Sequence, residues 1–199
     1  LSEHGEQEES GVRRWLLVCI AAVVLLAGWR PAPKEPEGLA LVRVLGVDGP
    51  GPVSLTAVCG GGDQEKEQSR GACGGADFRE ALEKLPWSGG RELSLTSVSY
   101  IIVGGDAALE DVLLSALRNE ELGAAARVFR AEDGAGALLA ECEDPASALE
   151  LLERQGVEAP TVVEALAALY KGGASLPLLM EWEGRLMLVD WVEWRGSDE

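Results

Sequence analysis

Residues 93–118 read LSLTSVSYIIVGGDAALEDVLLSALR, and the point at which that stretch changes character decides the fold class. From Leu93 to Val103 it carries the strongest strand signal in the chain, and it runs into Gly104-Gly105-Asp106. Immediately afterwards Leu109, Val112, Leu113, Ala116 and Leu117 recur at helical spacing, which makes one face of a helix apolar. Val103 to Asp106 lies where dinucleotide folds bind phosphate. Neither GxGxxG nor GxxxxGK[ST] is present, however, and the stretch reads as a tight turn ending in Asp106 as N-cap.

Upstream, Leu39–Val47 and Val53–Cys59 are β-rich runs separated by Asp48-Gly49-Pro50-Gly51-Pro52, which predicts a hairpin. Gly60–Gly75 is Gly-rich and charged and reads as an exposed loop with a short strand near Cys73. Asp77 with Glu80 forms a capping-box pattern ahead of Phe78, Ala81, Leu82 and Leu85, and Pro86 ends that helix. Downstream come a strand at Ala124–Ala131 and a short helix at Gly134–Cys142. Helix starts follow at Asp144-Pro145 and Thr161-x-x-Glu164, so each start is expected to carry a side-chain cap. Leu176–Trp194 reads as two strands around Glu183-Gly184. Strands and helices mix without a sustained βαβ repeat, which predicts an α+β fold: a mixed β-sheet with packed helices.

The chain has 199 residues, 47% of them hydrophobic, enough for one folded domain with an appendage. Its 34 Asp+Glu against 17 Lys+Arg give a net charge of −17, which repels phosphate backbones and argues against nucleic acid as a partner. The one histidine, His4, precedes the apolar segment near the N-terminus, so the domain beyond it has no histidine for a triad or a metal site. No carboxylate pair stands out in an apolar setting, and the acidic residues read as a solvated face. Neither a catalytic residue nor a cofactor is expected.

Cys59 and Cys73 bracket the Gly-rich loop. They are read either as a disulfide, which would add about 3 kcal/mol by loop entropy, or as two thiols. Trp182, Trp191 and Trp194 cluster in the last hairpin. By alternation Trp194 shares a face with Leu186, Leu188 and Val192, and Trp191 shares the other with Met187 and Val189. Core packing is one reading of these tryptophans and an aromatic anchor for a partner is the other.

Residues 15–29, WLLVCIAAVVLLAGW, are uncharged between Arg14 and Arg30. As a helix they span only about 22 Å. A Trp at each end and snorkelling arginines suit the membrane interface, so a single N-terminal transmembrane helix is expected after a short tail at 1–14. A cleaved signal peptide, with Ala27 or Gly28 at the cleavage site, and a buried core helix are the competing readings. Leu17-Val18-Cys19 fails as a lipobox because Val18 is bulky and the apolar run continues past Cys19. The Pro-rich residues 30–38 read as an extended tether, and the domain is expected over 39–199. Arg13 and Arg14 are balanced by Arg30 and Lys34, so charge alone leaves the orientation open.

Residues 91–139 resemble the N-terminal domain of the Ger(x)C family, the C subunits of bacterial spore germinant receptors. The matching features are Ile101-Ile102-Val103-Gly104, Leu117-Arg118-Asn119-Glu120, and Arg130-Ala131 leading to Gly134. Val44-Leu45-Gly46-Val47-Asp48, Ala76–Leu85, Thr161–Leu169 and Leu176-Pro177-Leu178-Leu179 follow the same template in order. The resemblance covers most of residues 39–194 and rests on apolar patterns, not on catalytic residues. Three departures stand beside it: the family is typically lipid-anchored, continues into a second domain, and often has Gly-His where this chain has Thr96-Ser97. What it implies is a non-enzymatic, membrane-anchored component at the outer face of a spore's inner membrane, docking to multi-spanning receptor subunits. An extracytoplasmic ligand-binding or sensing module on the same fold is the alternative.

Overall fold

In the computed structural model, the residues described are 39–60, 70–85 and 92–195. The chain divides into two units, 1–37 and 38–199. The expected tail at 1–14, anchor at 15–29 and tether at 30–38 lie outside the described residues. Among the described residues no helix is long and apolar enough to cross a membrane.

The domain is α+β with a mixed sheet. Its strands are β1 (Leu39–Asp48), β2 (Val53–Cys59), β3 (Arg70–Gly75), β4 (Glu92–Ser94), β5 (Tyr100–Val103), β6 (Arg127–Ala131), β7 (Ala174–Trp182) and β8 (Arg185–Trp194). They lie in the order β3-β2-β1-β5-β6-β7-β8, with β4 also on β1. β1, β5, β6 and β7 run parallel, while β2, β3 and β8 close the two sides antiparallel. The parallel centre is covered on both faces, and the four residues of β5 are accordingly all buried. The helices are α1 (Phe78–Lys84), α2 (Leu109–Arg118), α3 (Ala135–Glu141), α4 (Pro145–Arg154) and α5 (Val162–Leu169). Leu45, Val103 and Val128 look to the core of α1, α2 and α5, whereas Val44, Ile102 and Phe129 look to that of α3 and α4.

Several expectations hold for local reasons. The 39–59 hairpin forms, and Asp77, Asp144 and Thr161 cap α1, α4 and α5 through their side chains. Others are corrected. The continuous strand 93–103 is two strands, because Arg43 bulges out of β1 and the chain opposite turns at 95–99, where the Ser99 N–H donates to the Arg43 carbonyl at 3.0 Å. α2 has no side-chain cap among the described residues, and Asp106 instead accepts from the Gly49 N–H at 3.1 Å. The short strand expected near Cys73, by contrast, does form, as β3, paired along its length with β2.

Cys59 and Cys73 are not joined by a disulfide. β3 pairs in a register that sets Cys73 opposite Leu55, four positions from Cys59. At the rise of a strand that is about 13 Å, and a disulfide holds its Cα atoms within ~7 Å.

Candidate functional site

Two regions bring polar or exposed groups together in ways the core does not require. The first is the crest, where the C-terminal ends of β1, β5 and β6 meet the start of α3. Gly46 lets α3 settle on β1, since a Cβ there would come within 2.7 Å of the Leu139 side chain. α3 lacks a cap from its own neighbours, and Asp48 supplies it from far upstream. Its carboxylate accepts from the Ala135 N–H at 2.6 Å and the Gly136 N–H at 2.7 Å. A Cβ on Gly104 would overlap that carboxylate. The anion a helix N-terminus attracts is thus already present as a side chain, which fills the place a bound phosphate takes in dinucleotide folds.

Beside it Arg130, 8% exposed, donates to the Gly105 carbonyl and stacks on the Trp194 ring with 4.2 Å from Cζ to the ring centre. Burial lowers its affinity for the proton, and nearby Asp106 opposes that shift. Its Nη1 is buried and has no hydrogen-bond partner among the described residues.

The second region is the β7–β8 hairpin with α4. β8 ends the sheet, and no further strand lies on its outer side among the described residues. The pairing runs Leu178 with Asp190 and then Leu179 with Leu188, so Val189 is an extra residue bulged out of β8. The bulge reverses the alternation. Val192 and Trp194 pair with Leu176 and Ala174 and look toward the α5 side, whereas Leu186 and Leu188 pack in the core under α3 and α4. The expected shared face of Trp194 with Leu186 and Leu188 is therefore corrected.

The three tryptophans do not form one surface. Trp194 is half-buried against the core and held by Arg130. Trp182, 58% exposed, sits at the hairpin tip eight positions along β7 from the partner of Trp194, roughly 27 Å away. Trp191, 41% exposed, pairs with Pro177 on the opposite face. On the tip face the cross-strand pair Met180–Met187 adjoins Trp182, and Met187 is itself half exposed.

α4 is pinned over the other face by a polar network. Arg43 meets Glu150 at 2.8 Å, Arg127 meets Glu153 at 3.2 Å, and the Tyr100 hydroxyl donates to Glu153 at 3.0 Å. Burial first, then the Glu153 hydrogen bond and charge, push the Tyr100 hydroxyl far above its ordinary value. Between α4 and β8 runs an open groove of about 670 Å³ with Ala148, Leu151, Leu152, Val157, Leu186 and Leu188 in its walls.

The Cys73 thiol donates to the Ala81 carbonyl at 3.1 Å, and burial pushes its pKa up more than Lys84 pulls it down. Among the described residues no group of three or more His, Cys, Asp or Glu side chains is placed to hold a metal.

Sequence reasoning singled out the tryptophans but missed Asp48 as a cap and Arg130 as the residue under the β5–α2 turn. The signal for the first lay far along the chain, in Gly104, Gly134 and Gly136, whose missing Cβ atoms clear room around the Asp48 carboxylate. No family model, curated protein or solved structure matches the chain.

Proposed function

We propose that this chain is a membrane-anchored, non-enzymatic component of a spore germinant receptor or related germination complex, similar to the Ger(x)C subunits. It docks to multi-spanning subunits at the outer face of the spore inner membrane. The observation that carries this reading is the bare apolar face at the tip of the terminal hairpin, where Trp182 and Met187 are both about half exposed. Large apolar side chains left outside on a sheet margin mark surfaces that a partner covers. The raised Cys73 thiol supports the same side of the argument, since a nucleophilic cysteine needs a depressed pKa. An anchor at 15–29 and a tether at 30–38 would hold the domain close to its partners and raise their effective concentration.

The test is purification of a tagged full-length copy from detergent-solubilised membranes of dormant spores. Recovery of multi-spanning receptor subunits with it is the expected result. Absence of the chain from spores, or its presence there without those subunits, overturns the reading.

A second reading, an extracytoplasmic ligand-binding module, is favoured by a pocket of about 430 Å³ whose mixed lining includes Thr96, Ser99, Tyr100, Arg127 and Glu153 beside Val98 and Ala126. Arg127 and Glu153 already pair with one another there. Stabilisation of residues 37–199 by a small ligand, seen as a rise in Tm, would favour this alternative.

A further inference from the structure

The groove between α4 and β8 runs up to a cluster of charged residues at the hairpin turn. One end of it abuts the hairpin turn, where the Glu143 N–H donates to the Gly184 carbonyl at 3.4 Å and joins the α3–α4 connection to the turn. That junction carries five carboxylates: Glu141 from the end of α3, Glu143 and Asp144 from the connection, and Glu181 and Glu183 from the hairpin. Two of the five have local duties. Asp144 caps α4 at Ser147, and Glu181 accepts from the Gly184 N–H. The cations alongside are Arg185, in the groove wall, and Arg70, whose guanidinium donates to the carbonyls of Ala140 and Cys142. The collar is therefore net negative even with both arginines counted, and it sits on a domain that from residue 37 onward holds 29 Asp+Glu and 13 Lys+Arg.

The walls are apolar by design of α4. Pro145, Ala146, Leu149 and Leu152 face the sheet, which leaves Leu151, 54% exposed, standing over the groove. Lining residues run from Ser147 to Gln155 along α4, about 12 Å, or roughly two turns of a docked helix.

We infer that this groove takes an amphipathic helix of a partner protein, its apolar face against Leu151, Leu152 and Leu188 and its basic end on the acidic collar. The inference deepens the docking reading above and rests on it for the partner's place in the cell. A helix suits the site better than an added strand, because the Val189 bulge interrupts the outer hydrogen-bonding edge of β8 and an incoming strand would lose register there. A second copy of this chain is disfavoured because two strongly acidic domains repel one another.

The experiment uses the purified full chain in detergent and two helical peptides with the same leucine face, one ending in lysines and the other in glutamates. The lysine peptide is expected to bind about tenfold or more tighter, with the preference shrinking as salt rises. Glu141→Gln, Glu143→Gln and Glu183→Gln together should erase the preference, and Leu151→Asp should abolish binding of both peptides. Equal binding of the two peptides, no binding of either, or indifference to Leu151→Asp overturns the inference. The spore co-purification separates its failure from that of the docking reading. If receptor subunits accompany the wild type and the Leu151→Asp variant alike, the groove falls and docking stands. If they accompany neither, the docking reading falls whatever the peptides do.

Discussion

At the crest the strong acceptors are answered from within the chain, Asp48 by two backbone N–H groups of α3 and Asp106 by Gly49. At the terminal hairpin, Trp182, Met187, Val189 and Trp191 stand exposed on a sheet margin that carries no further strand among the described residues. Parallel sheets in other folds receive ligands at the C-terminal ends of their strands. Here that position is filled by the protein's own carboxylate and a stacked arginine, and the unfilled chemistry has moved to an antiparallel edge and is apolar. The contrast separates residues that hold the fold from residues available to a partner, and substitutions should divide along it.

The largest expected effect is at the crest. Asp48→Ala strips two charge-assisted hydrogen bonds from the start of α3 and should lower stability by about 3 kcal/mol, read as a shift of the urea midpoint at constant slope. Next comes Arg130, where two substitutions should differ. Arg130→Ala loses the packing on Trp194 and leaves the Gly105 carbonyl unmet, costing about 2 kcal/mol. Arg130→Met also leaves the Gly105 carbonyl unmet, but it keeps the packing volume on Trp194 and removes the buried, unpartnered Nη1, so it should cost less, about 1 kcal/mol. Equal losses for the two would make the charge, and not the packing, the crest's contribution.

Across the contrast, Trp182→Ser with Met187→Ser should change stability by no more than about 0.5 kcal/mol, since neither side chain is buried, and yet remove the recovery of receptor subunits. The smallest effect is at the α5 cap. Hydrogen bonds from Thr161 hold the Glu164 carboxyl below its ordinary value. Its contribution is then present above the unfolded pKa of about 4.3 and is lost as pH falls through the lower folded value. Between about pH 7 and pH 3 the wild type should therefore lose slightly more Tm than Glu164→Gln, and an identical loss would mean the cap adds nothing to acid stability.

The same division marks what was legible in the sequence. Asp77, Asp144 and Thr161 announce their helices because a cap and its N–H partner lie three residues apart. The 39–59 hairpin is legible because its turn residues sit between two alternating runs. Asp48 was not, since its partners are 87 and 88 residues away and nothing local distinguishes a remote cap from a strand-end acid. The bulges at Arg43 and Val189 were equally silent. Each is set by pairing with a neighbouring strand, and one inserted residue transfers everything beyond it to the other face. That single residue is why Trp194 went inward with Arg130 while Leu186 and Leu188 faced the opposite core. The register of β3 likewise decided the fate of Cys59 and Cys73, and loop length alone carries no register.

The most direct measurement is recovery of multi-spanning receptor subunits from dormant-spore membranes with three tagged chains at matched abundance: wild type, Asp48→Asn, and Trp182→Ser with Met187→Ser. Asp48→Asn weakens the crest while leaving the hairpin intact. The account expects the subunits with the wild type and, wherever Asp48→Asn accumulates as a folded chain, with that variant too, but not with the hairpin variant. Recovery of the subunits with the hairpin variant at the wild-type level would contradict it.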